Sequence, residues 1–109
     1  MFFTSDPDEL ERAAVVMADH GTTTVLPTSP SATHDDILAF LKNVRNVMGH
    51  NKGSKIFGAH LEGNYFNKEF AGAQNPEFIY PARESEYMEL IDTGVVKRVS
   101  ASPEIEGCI

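Results

Sequence analysis

Three short runs rich in β-branched residues each follow a stretch with helical spacing, and that alternation is the strongest constraint on the fold. Strands separated by helices pair in parallel, because the helix supplies the crossover between neighbouring strands. The first helix is expected over residues 6–20. Asp6 or Ser5 can cap it, Pro7 suits its first turn, and Leu10, Ala13, Ala14 and Met17 recur at helical spacing. Thr22 to Thr28 then reads as a strand buried on both faces and ended by Pro27. A second helix is expected over residues 33–48, capped by Thr33. Ile37, Leu41, Val44 and Met48 form its apolar stripe, widened by Leu38, Phe40 and Val47. Lys55 to Glu62 reads as the second strand, and residues 85–93 as the third helix, stopped by Gly94. Val95 to Ala101 reads as the third strand, closed by Pro103. Between Gly63 and about Arg83 lies an irregular stretch broken by Gly72, Pro76 and Pro81.

The fold class is therefore α/β, with about three parallel strands alternating with three helices. Three parallel strands leave sheet edges unpaired, and 109 residues are well under half of what a closed eight-stranded barrel requires. The expectation is a part of a larger α/β protein; the alternative is a small autonomous α/β domain.

Composition narrows the function. A net charge of −7 argues against a nucleic-acid partner, which needs clustered cations, and against a polybasic membrane surface. No apolar run approaches the roughly 20 residues of a spanning helix, and Met1 to Asp6 lacks the basic and apolar regions of a signal peptide. Cys108 is the one cysteine, which excludes an internal disulfide and a cysteine-cluster zinc site. The chain reads as cytoplasmic. Cys108 itself reads as a free thiol.

Chemistry concentrates in Gly58-Ala59-His60-Leu61-Glu62-Gly63. His60 and Glu62 are two apart on a strand and so share a face. Glu62 falls at the strand's C-terminal end, where parallel α/β folds carry their sites, and a carboxylate there can bind a metal or move a proton. A solvated Glu62 and a satisfied core His60 fit the spacing equally well. The loop Ala71-Gly72-Ala73-Gln74-Asn75-Pro76 is small and polar, and Gln74 and Asn75 offer both donors and acceptors. His20, His34 and His50 read as solvated, and Lys97-Arg98 as a surface pair with one member inward.

Three stretches together resemble N-acetylglucosamine-6-phosphate deacetylases of the amidohydrolase superfamily. They are His20 to Thr28, Gly58 to Gly63 continuing through Ala71 to Pro76, and Ser100 to Glu104. The resemblance implies a (β/α)8 barrel with a small accessory β-domain, residues 1–109 being roughly its second to fourth strand units. It implies metal-dependent hydrolysis of N-acetylglucosamine 6-phosphate to glucosamine 6-phosphate and acetate, and hence an amino-sugar phosphate substrate. Glu62 matches the metal-ligating glutamate of a divalent ion, zinc or iron. Ala73 and Gln74 match positions that meet the sugar, and His60 is cast as a supporting residue that orients Glu62. The remaining metal ligands, the catalytic aspartate and the phosphate-binding cations have no match here, so the 109 residues alone are expected not to deacetylate. The family is typically a homodimer. Two departures stand out: Asn64 where proline is usual, and Gln74 where histidine is common. The competing functions are an amidohydrolase for another N-acetyl sugar and a non-catalytic remnant that binds a partner through open sheet edges.

Overall fold

Asp6 accepts a hydrogen bond from the Asp8 amide at 2.9 Å and so caps α1, Pro7–Asp19, with acidic residues in the first turn where the helix dipole favours them. This is a computed structural model describing residues 6–109. Ser5, the alternative cap, and the N-terminal stretch read for a signal peptide lie outside the described residues except for Asp6. Leu10 and Ala14 are the buried positions of α1. Thr33 caps α2, His34–Val47, accepting from the Asp36 amide, and α2 buries Ile37, Phe40, Leu41 and Val44. The third helix, α3, runs Glu84–Asp92 and buries Leu90.

The strands are shorter and more broken than the alternation predicts. β1 is Thr24–Val25 and β2 is Thr28–Ser29; β3 is Lys55–Ile56, β4 is Ala59–Glu62 and β5 is Val96–Ser100. β1 pairs with β3, and β2, β4 and β5 form a second sheet in that order; every pairing is parallel. The fold is thus α/β with three helices and parallel strands. The first strand departs from its expected form in two ways. Pro27 interrupts the first strand rather than ending it: it has no N–H to give to the ladder, but its carbonyl accepts from the His60 amide at 2.9 Å and pairing resumes at Thr28. Nor is that strand buried on both faces. Val25, Pro27 and Ser29 are buried while Thr24, Leu26 and Thr28 are not, so only one face meets the helices.

The second strand breaks at Phe57-Gly58, next to a register shift at Ala59/His60. Gly58 has φ +153°, and a Cβ there would collide with the Lys97 side chain and the Val95 carbonyl, so the close approach of the neighbouring strand depends on glycine.

The core lies between the helices and one sheet face, joining Leu10, Ala14, Val25, Ile37, Phe40, Leu41, Val44, Ile56, Leu61, Leu90 and Val95. His34 is not simply solvated: its Nε2 lies 2.8 Å from Glu89 Oε2 and ties α2 to α3. Next to this core α3, β5 and the C-terminal residues meet. There a largely apolar cavity of about 350 Å³, lined by Leu61, Tyr65, Tyr87, Leu90, Ile91 and Val99 among others, opens to the surface. Cys108 is free, as expected. Among the described residues no helix is long and apolar enough to cross a membrane.

Candidate functional site

Parallel register sets Thr28, His60 and Arg98 abreast on one face of the sheet, with Glu62 opposite Ser100 one step further along. The alternate residues Ser29 and Leu61 point the other way, toward the core, and are buried. Among the described residues no helix covers the face with His60 and Glu62.

His60 is half-buried and both of its ring nitrogens meet hydroxyls. Nδ1 is 3.2 Å from Thr28 Oγ1, and Nε2 is 2.9 Å from Ser100 Oγ. Burial, with the Arg98 guanidinium beside it, holds the imidazole below its ordinary value, against an upward pull from the Glu62 carboxylate. Glu62 is exposed at the C-terminal end of β4, and among the described residues no hydrogen-bond donor or cation pairs with its carboxylate. His60 and Glu62 share a face but not a hydrogen bond.

The chain after Glu62 turns sharply. Gly63 has φ +117°, and a Cβ there would collide with Ser31 Oγ. Ser31 lies just past β2, is buried, and its hydroxyl has no hydrogen-bond partner among the described residues. Its amide donates to Gln74 Oε1 at 2.7 Å. Ser31 therefore joins the loop bearing Gln74 to the strand end bearing Glu62. This contact occupies the acceptor side of the Gln74 amide with protein, and its N–H groups have no partner among the described residues. Ala73 is exposed on the same loop.

Asn64 explains the first departure from the resemblance. It is buried with φ +31°, a conformation asparagine tolerates and proline cannot adopt. Its Nδ2 donates to the Ala32 carbonyl at 2.6 Å and the Phe78 carbonyl at 2.9 Å, and its own carbonyl accepts from the Tyr80 amide at 3.0 Å. One side chain thereby fastens the long loop to the start of α2. The loop is also less irregular than expected. It holds two 3₁₀ turns, Lys68–Phe70 and Pro76–Phe78, capped by Asn67 and Asn75 accepting from the Glu69 and Glu77 amides. The signal was in the sequence as Asn-x-Glu repeated eight residues apart.

Thr28, Ser31 and Ser100 did not stand out in the sequence, because each matters only through a cross-strand or loop neighbour. Lys97 and Arg98 are both exposed. Among the described residues no group of three His, Cys, Asp or Glu side chains could hold a metal ion.

No family model matches the chain. It is 31% identical over 106 residues to N-acetylgalactosamine-6-phosphate deacetylase of Escherichia coli O157:H7, covering 94% of this chain and 28% of that protein. It is 30% identical over 94 residues to N-acetylglucosamine-6-phosphate deacetylase of Bacillus subtilis (strain 168), covering 81% of this chain and 24% of that protein. Among solved structures it superposes with a TM-score of 0.86, at 28% identity, on a variant N-acetyl-D-glucosamine-6-phosphate deacetylase from Mycobacterium smegmatis in complex with N-acetyl-D-glucosamine-6-phosphate. That match covers 97% of this chain and 28% of the other. The corresponding Pasteurella multocida structure, at 23% identity and a TM-score of 0.75 over 87% of this chain and 26% of that one, shares the fold. In sequence and in fold the chain is thus related to the N-acetylglucosamine- and N-acetylgalactosamine-6-phosphate deacetylases, and it spans about a quarter of their length.

Proposed function

We propose that this chain is the part of an amino-sugar phosphate deacetylase that carries one metal ligand and one edge of the sugar site. The reaction is hydrolysis of the acetamide of N-acetylglucosamine 6-phosphate: water adds to the carbonyl, the C–N bond breaks, and glucosamine 6-phosphate and acetate result. The observation that carries this reading is Glu62, an exposed carboxylate without a partner among the described residues, at the C-terminal end of a parallel strand and beside the loop held by Gln74 and Ser31.

Glu62 suits a divalent ion, zinc or iron, as a hard oxygen ligand. The described residues alone do not complete a metal site, since a catalytic ion takes about three protein ligands. The others would come from the rest of a full-length deacetylase. The ion would polarise the acetamide carbonyl and lower the pKa of the attacking water. Within this chain Glu62 would hold it, the Ala73 backbone and the Gln74 N–H groups would orient the sugar, and His60 would support the strand that carries Glu62. The parallel strands, one face against helices and the other without a helix among the described residues, support placing residues 1–109 as about the second to fourth strand units of a (β/α)8 barrel.

A chimaera tests the reading. The matching segment of the Bacillus subtilis relative is replaced by this chain, and acetate release is measured with N-acetylglucosamine 6-phosphate and with N-acetylgalactosamine 6-phosphate. Activity on at least one sugar is expected. Glu62→Gln is expected to lower kcat/KM by more than about 100-fold, the upper end of what losing even a supporting partner costs. A folded chimaera inactive on both sugars, or one indifferent to Glu62→Gln, would overturn it.

A further inference from the structure

Thr28 Oγ1 lies 3.1 Å from the Leu26 carbonyl, to which it donates. A hydroxyl has one proton, so the same oxygen can only accept from His60 Nδ1, 3.2 Å away. Nδ1 then carries the hydrogen. In a neutral ring the lone pair falls on Nε2, where the Ser100 hydroxyl stands 2.9 Å away as donor. Donation runs in one direction from Ser100 on β5, through His60 on β4, to Thr28 on β2 and the Leu26 carbonyl. Each link fixes the proton position in the next.

We infer that Thr28 and Ser100 are positioning residues for His60: they lock its ring in the Nδ1–H tautomer with both nitrogens engaged by protein hydroxyls. The ring is thereby fixed by β2 and β5 from either side, whatever role Glu62 plays on the same face.

The test uses the intact chain labelled with ¹⁵N-histidine, at about pH 8, where an ordinary imidazole is neutral. Long-range proton–nitrogen spectra are expected to show His60 Nδ1 protonated and Nε2 bare. Thr28→Val removes the acceptor at Nδ1 and is expected to move the ring to the Nε2–H form, donating to Ser100. Ser100→Ala removes the donor at Nε2 and is expected to raise the Nε2–H population, while Ser100→Thr retains the parent pattern. A general loosening of structure would not separate alanine from threonine in this way. Amide spectra away from β2, β4 and β5 establish that each variant is folded, and either variant alone suffices.

An Nε2–H ring in the parent, or a folded Thr28→Val or Ser100→Ala with an unchanged tautomer, would overturn the inference.

Discussion

Asn64 shows how one residue can decide the path of a loop. Its side chain satisfies two backbone carbonyls that the loop would otherwise leave without donors, and its φ of +31° directs the chain away from the strand end. Asn64→Ala removes both donors. It is expected to cost about 2 kcal/mol, the penalty of orphaned buried acceptors, measured as a lower urea midpoint at unchanged m-value. His60 carries a pH dependence. Its folded pKa lies below the ordinary 6.5, because burial and then Arg98 disfavour the charged ring. As pH falls, the unfolded chain takes up this proton first, so the contribution is complete above 6.5 and declines as pH drops through 6.5 toward the lower folded value. Urea midpoints across that window should fall more steeply for the parent than for His60→Gln; parallel curves would refute this. That His60 and Glu62 share a face was legible, since alternation along a strand needs only one strand. Their partners Thr28 and Ser100 were not, since parallel register is set by the docking of separate elements.

At the scale of elements, the helices were the most legible part. Their caps and apolar stripes are local, and Thr33, Ile37, Leu41 and Val44 behave as their spacing requires. Thr33→Ala should cost about 1 kcal/mol by freeing the Asp36 amide, with the loss of helicity confined to the first turn of α2 in amide-exchange measurements. The strands were less legible for a physical reason. A β-branched run tells where the chain is extended, but whether it pairs without a break depends on what lies alongside. Pro27 cannot donate, and Gly58 is pressed by Lys97 from the next strand, so two extended runs each became two short ladders. Pro27 is visible within its run, though not that pairing resumes after it; Lys97 lies far outside the run that breaks at Gly58. The 3₁₀ turns of the long loop, by contrast, had a local signal in Asn67 and Asn75.

The two faces of the sheet differ. Helices pack against one, whereas among the described residues no helix covers the face bearing His60, Glu62 and Ser100; on the helical side the apolar cavity beside β5 lies open, with Val99 itself 45% exposed. The resemblance drawn from motifs placed the chain in a larger enzyme, and the quarter-length match to known deacetylases agrees with it, because both rest on stretches spread along nearly the whole sequence. That open cavity has a colloidal consequence. Copies of the chain carry a net charge of −7 and repel one another while ions are scarce. Raising salt shortens the range of that repulsion from about 10 Å at 0.1 M to about 3 Å at 1 M, but leaves apolar attraction in place. Sedimentation velocity should therefore find more associated material in concentrated sodium chloride than in dilute buffer, the reverse of what charge-paired association would give. Ionic strength then acts with concentration in setting whether this acidic chain stays dispersed.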